Sequence, residues 1–279
     1  MNYQDTFVNN IPDYLSWVKN TKTPFGDKNE EKSFSMKMDQ VFYRGQACSL
    51  WELKPSVFRD SNYFIENSLL KKATRRLWNV VSSFNTYLEK MIFFQHYGLC
   101  TRLVDLTSNP LVALYMACCD EIKPCCDGAV YFSYGSEIND KVAELTAKYV
   151  FEHEYQSSDI EFEKFASKEG VKVESFKTPI LIQPPINNPR IEAQNGAFVM
   201  APLVGNYSNN IAYMNIEGLD EMQFFDSRRA IIPSDNKLSI LKDLSDLGFD
   251  SGTIYKDISE KIKAIVNEEK WKENIKIAK

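Results

Sequence analysis

Histidine is almost missing from this sequence: His96 and His153 are the only two among 279 residues. Cysteine occurs six times, but never in the C-x2-C spacing that turns two sulfurs toward one zinc ion. The neighbouring pairs Cys118–Cys119 and Cys125–Cys126 point their side chains apart, so no metal is expected. In a chain this long the six cysteines also make no secreted disulfide framework. Long hydrophobic runs are missing too. The longest, Leu111 to Cys119, falls far short of the ~20 apolar residues that span a bilayer. Residues 1–20 lack a basic start followed by an apolar stretch. These absences predict a cytoplasmic protein with reduced thiols and no membrane partner. Positive charge is not in excess either: 33 Lys and Arg stand against 38 Asp and Glu, a net charge of -5. That excludes nucleic-acid binding through bulk charge and leaves a local basic patch open. No internal repeat, low-complexity tract or linker divides the chain.

What the sequence does have is a globular composition, 44% hydrophobic and 25% charged, enough for one sizeable core. Ile11, Leu15 and Val18 recur at helical spacing after a polar start, and residues 21–35 read as a polar loop. The stretch 40-QVFYRGQ-46 reads as a strand, as do 128–134, 178–185, Ala197 to Met200 and 228-RRAIIP-233. Phe84, Tyr87, Leu88, Met91 and Ile92 mark one buried face of a long helix, with His96 and Tyr97 in its last turn and Gly98 as its stop. Ser108 or Asn109 caps the next helix with Pro110 at its first position, and 111-LVALYMACC-119 is apolar all round. Residues 98–107 are predicted to be a loop pinned between these two helices. Residues 137–170, rich in Glu and Lys, read as a polar helical excursion with few core positions. Helices are predicted over LSILKDLSDLGF and KDISEKIKAIVNEE. The expectation is one α+β domain over residues 1–279, with a central mixed or antiparallel sheet flanked by helices.

Charge in the wrong place points to a site. Arg102 and Asp105 sit between two core helices, where an unpaired charge costs several kcal/mol. They must pair with each other, bond the backbone, or face a cavity that holds a ligand. Arg44 interrupts a strand in the same way, and Gly45 beside it offers a bare backbone that a ligand can approach.

These residues also carry a resemblance. The motifs FYRGQ (42–46), LKPSVFR (53–59), QHYGLCTRLVDLTSNPLVALYMA (95–117) and RIEAQNGAFV (190–199), with the tail from AIIPSDNKLSILKDLSDLGF onward, are similar to the FRG domain family, named for its Phe/Tyr-Arg-Gly motif. The resemblance runs from the first helix to about residue 266. It implies an ADP-ribosyltransferase-like fold and an enzyme that uses NAD as its substrate, without a metal. It further implies modification of nucleic acid, RNA above all, by a toxin of bacterial antiphage defence that an antitoxin protein restrains. A non-catalytic module that senses or binds nucleotide, and a glycohydrolase that cleaves NAD, are the other readings.

Carried over by motif position, Arg44 binds the phosphates or ribose of NAD, and Gln46 bonds the ribose or adenine. His96 and Tyr97 lie against the nicotinamide or its ribose. Thr101, Arg102 and Asp105 form the pocket floor, with Arg102 on phosphate or paired to Asp105. Arg190 and Gln194 face the same site, and Glu192 between them is the candidate catalytic carboxylate. Because the motif sets Gln194 where familiar transferase triads carry glutamate, Asp105 is the alternative. The chemistry suits these types: guanidinium forks hold phosphate, and a carboxylate steadies an oxocarbenium-like ribose. Plainer readings stand beside these. His96 can complement a helix dipole, Tyr97 can be core, and Arg190 can neutralise Glu192. Separately, 71-KKATRR-76 puts Lys71 over Arg75 and Lys72 over Arg76 on one helical stripe, which suits a phosphate backbone, or else a solvated face partly balanced by Glu66. Trp51 and Trp78 fit base stacking or the core equally well.

Overall fold

Alternation of side chains along 41-VFYRGQ-46 builds the strand from which the rest is best described. The computed structural model describes residues 3–21, 40–59, 62–119, 126–135, 139–154, 159–184, 189–203 and 224–255. Seven strands, β1 (Gln4–Phe7), β2 (Val41–Gln46), β3 (Leu103–Thr107), β4 (Gly128–Tyr134), β5 (Ile180–Ile182), β6 (Gly196–Met200) and β7 (Arg228–Ile232), form one sheet in the order β1-β7-β4-β2-β3-β6-β5. Only β1 and β7 run parallel, so the sheet is mixed and the fold is α+β. Strand β1 is too short and polar to announce itself. The predicted loop over 98–107 is corrected by β3, which occupies its second half at the centre of the sheet. The loop at 21–35 beyond Thr21 and the helix over KDISEKIKAIVNEE lie outside the described residues. Among the described residues no helix is long and apolar enough to cross a membrane.

Helices cover one face of the sheet in two groups. Helices α1 (Ile11–Thr21), α5 (Pro110–Cys118), α9 (Lys237–Asp246) and α10 (Ser251–Tyr255) pack on Tyr43, Val130, Phe132, Ala230 and Ile232. Helices α2 (Glu66–Arg76), α3 (Trp78–Val81), α4 (Tyr87–His96), α6 (Asp140–Glu152) and α7 (Asp159–Lys168), with α8 (Pro189–Gln194), pack on Leu103, Ile180, Ile182, Phe198 and Met200. The opposite face buries the alternate residues Phe42, Val104, Leu106, Tyr131, Val199 and Ile231 under Leu53 and Phe225. The polar excursion expected at 137–170 is corrected here. Helix α6 buries Val142, Ala143, Leu145, Ala147, Tyr149, Val150 and Phe151 and is a principal layer of the core. Its Glu and Lys residues occupy the outer stripe of an amphipathic helix.

Two close approaches fix this arrangement. A Cβ on Gly45 would stand 2.0 Å from the Ala113 carbonyl oxygen, and one on Gly128 would stand 2.2 Å from that of Ala117. Helix α5 therefore lies backbone against backbone on β2 and β4, which is why it is apolar all round and carries alanine at those turns. The bare backbone of Gly45 faces this helix, not a ligand. The second tie is an ion pair. Arg102, just before β3, is 0% exposed and gives Nε and Nη2 to the carboxylate of Glu66 at the start of α2. Its face lies 5.8 Å from the Phe58 ring centre.

Gly45→Ala is expected to cost on the order of 3 kcal/mol, because backbone cannot step aside as a side chain can; urea unfolding measures it. Glu66→Gln or Arg102→Met alone should cost roughly 3–5 kcal/mol by leaving one group buried without its partner. The double variant Glu66→Leu with Arg102→Met should recover most of that loss in the same measurement.

Candidate functional site

Helix α4 begins with a capping box, in which the Thr86 side chain accepts from the Glu89 backbone and the Glu89 carboxylate accepts from that of Thr86. It ends at His96, where Gly98 takes the left-handed conformation at φ 87°. These two punctuation marks place Gln95 and His96 over β3. Gln95 is the connector: its carbonyl accepts from the Thr101 hydroxyl at 2.7 Å, and its amide donates to Asp105 Oδ1 at 3.3 Å. Asp105 is the one exposed residue of β3, with buried neighbours on both sides.

From the other side comes Arg44. β2 pairs with β4 along all of its six residues but meets β3 at a single pair, Tyr43 opposite Thr107. Beyond that pair the Arg44 guanidinium donates from Nη1 to the Asp105 carbonyl at 2.8 Å. Its Nε is enclosed and has no partner among the described residues. Burial lowers the pKa of Arg44, Asp105 opposes that shift, and Arg59 adds to it. The group stays a cation, as guanidinium does in proteins.

A third element closes in through α8. Its last carbonyl, that of Gln194, accepts from the Thr107 hydroxyl. The carbonyl of Asn195, in left-handed conformation at φ 44°, accepts from the backbone of Ser108 at 3.1 Å. The same turn caps α5, since Asn109 Oδ1 accepts from the Leu111 backbone. Arg190, also on α8, lies 4.6 Å over the Tyr255 ring. It acts on His96, whose pKa falls below the ordinary 6.5 through burial first and Arg190 second, with Asp105 pulling the other way. His96 is therefore neutral at neutral pH.

Asp105 thus stands between Arg44, which reaches its carbonyl from the Phe42 face of the sheet, and His96 with Arg190 on the helical face, and Gln194 docks on the strand end beside it. Gln46, two residues along β2, is only 3% exposed, and neither its Oε1 nor its Nε2 has a partner among the described residues. The Gln194 Nε2 is enclosed without one as well. Such orphans are rare in folded proteins and mark places where a ligand or ordered water completes the set.

Other expected residues stand elsewhere. Arg102 meets neither solvent nor the Asp105 carboxylate as its ion-pair partner; Glu66 takes that role. Thr101 is fully buried and spends its hydroxyl on Gln95 and the Leu103 backbone. Both hold the site up from behind instead of flooring it. Tyr97 is 69% exposed, its ring 4.6 Å from that of Phe93. Glu192 is exposed on α8. Lys71, Lys72, Arg75 and Arg76 are all exposed on α2. Gln95 and Arg59 were not singled out in advance, although both stand inside motifs already quoted. A polar residue beside His96 on an otherwise apolar helix face was the available signal for Gln95.

Residues 39–125 match the FRG domain. No curated protein and no solved structure matches the chain. The matched stretch is shorter than the resemblance drawn from motifs, since it takes in β2, α2 to α4, β3 and α5 but not α8 or the tail. The Arg44, Gln46, His96 and Asp105 part of the site lies wholly within it. The chain carries an FRG domain over residues 39–125.

Proposed function

We propose that this protein is an NAD-dependent ADP-ribosyltransferase that modifies RNA and acts as a toxin in antiphage defence, held in check by an antitoxin protein. The observation that supports this most is the convergence on Asp105 of Arg44, Gln95 and His96, beside enclosed polar atoms of Arg44, Gln46 and Gln194 that lack partners among the described residues. An ADP-ribosyltransferase-like sheet is part of the reading, and the parting of β2 from β3 beside these donors favours it.

The donor set fits NAD as a substrate. Two guanidinium groups, Arg44 and Arg190, supply planar forks for a pyrophosphate, and the Gln46 and Gln194 amides supply donors for ribose hydroxyls or the adenine edge. Breaking the bond between nicotinamide and ribose sends the bonding pair to nicotinamide and leaves positive charge on the ribose carbon. That Gln95 orients the Asp105 carboxylate and Arg44 fixes its backbone supports Asp105 as the group that steadies that charge. Neutral His96 takes the proton that an RNA hydroxyl or amine loses as it bonds the ribose carbon.

Incubation with NAD labelled in the adenylate and with cellular RNA should put label on RNA and release nicotinamide. Asp105→Asn and Arg44→Ala should each lower the rate by roughly 100-fold or more. Free ADP-ribose alone would make the protein a glycohydrolase, and binding without turnover would make it a nucleotide-binding module; either result overturns the proposal. The rate should hold steady at neutral pH and fall only as pH drops below the ordinary imidazole value of 6.5. That direction follows because a lowered pKa keeps the base form over a wider range. His96→Gln should abolish the acid limb of the profile, which rate measurements across pH will show.

A further inference from the structure

The cations of α2 have lost the carboxylate that would have balanced them. Glu66 heads the same helix, but it is 1% exposed and bound to Arg102. Among the described residues no ion pair involves Lys71, Lys72, Arg75 or Arg76, although the chain as a whole carries a net charge of -5. All four are exposed, and Lys71 and Arg75 follow one another about 6 Å apart along the helix axis, as do Lys72 and Arg76. At the end of this stripe Trp78 is 59% exposed, flanked by Leu77 and Val80 at 41% and 47%. Trp78 therefore belongs to the surface and not to the core. Beside the stripe lies a groove of about 410 Å³, lined by Lys71, Thr74, Arg75, Tyr87, Phe151 and Glu152.

We infer that this face, α2 with α3 and the adjoining groove, binds single-stranded RNA, and that it is the surface on which the acceptor strand docks. This rests on the proposed transferase reading and adds to it a place for the acceptor. A spaced row of unpaired cations is what a phosphate backbone needs, and an exposed indole is what an unpaired base stacks on. A duplex hides its base faces and leaves Trp78 and the groove without a use. A segment of Asp and Glu alone offers the charge but no flat ring for Trp78 or for the Tyr87 and Phe151 wall. Geometry connects the face to the chemistry. Tyr87 opens α4 and His96 closes it, so groove and Asp105 cluster stand about 14 Å apart along one rigid helix, a span of a few nucleotides.

The test is fluorescence anisotropy of a labelled single-stranded oligoribonucleotide with the full chain, titrated at several salt concentrations. Three proteins are compared: the native chain, Lys71→Gln with Arg75→Gln, and Trp78→Ala. All three positions are exposed, and a melting curve for each checks that it is folded. The double variant is expected to lower the slope of log K against log salt by about 1.4. Trp78→Ala is expected to weaken binding by about tenfold or more. Equal affinity and equal slope in all three would overturn the inference while leaving label transfer to RNA, measured separately, to decide the transferase reading. Tighter binding of duplex RNA or of poly-glutamate than of the single strand would overturn it as well.

Discussion

One register pair, Tyr43 opposite Thr107, joins the two halves of the sheet. Every other feature of the candidate site follows from how little that junction holds. β2 is fully paired on its β4 side, and β3 is fully paired on its β6 side, so each half is a firm plate. Where they part, backbone groups need other partners, and Arg44 answers by donating to the Asp105 carbonyl. Arg44, on the Phe42 side of the sheet, thus lies where β2 leaves β3. The clamp of α5 against Gly45 fixes β2, and the Arg102–Glu66 pair anchors the chain just before β3.

Much of the framework was legible. The strands at 41–46, 128–134 and 196–200, the helix ending at His96 and the helix capped by Asn109 all follow from periodicity and terminal residues. Two elements were hidden by their charges. β3 carries Asp105 in its middle and follows Arg102, so its alternation looked like a charged loop. α6 reads as surface from its many Glu and Lys residues, yet these share one stripe and the apolar rest of the helix is buried. Partners far apart in sequence were the other blind spot. Nothing local links Arg102 to Glu66, 36 residues earlier, and the nearer Asp105 was the natural guess. The glycine of the Phe/Tyr-Arg-Gly motif was misjudged for the same reason, since α5 lies far downstream.

The site residues divide along physical lines. Those with their bonding capacity spent, Thr101 and Arg102, serve the scaffold. Those with capacity left over, Arg44, Gln46 and Gln194, carry an uncompensated cost that a folded chain tolerates where function requires it. Motif matching alone does not separate these groups, because both lie in the same signature. Hydrogen-bond accounting does.

Gln46 offers the most direct check on that distinction. Replacing a buried amide whose two polar atoms lack protein partners by leucine removes a desolvation cost of about 1 kcal/mol or more. The thermal midpoint of Gln46→Leu, measured with and without NAD, should rise in the free protein and lose most of the upward shift that NAD gives the native chain. A less stable free protein with its NAD shift intact would mean that Gln46 is satisfied within the fold and that the place where β2 leaves β3 is not where the nucleotide binds.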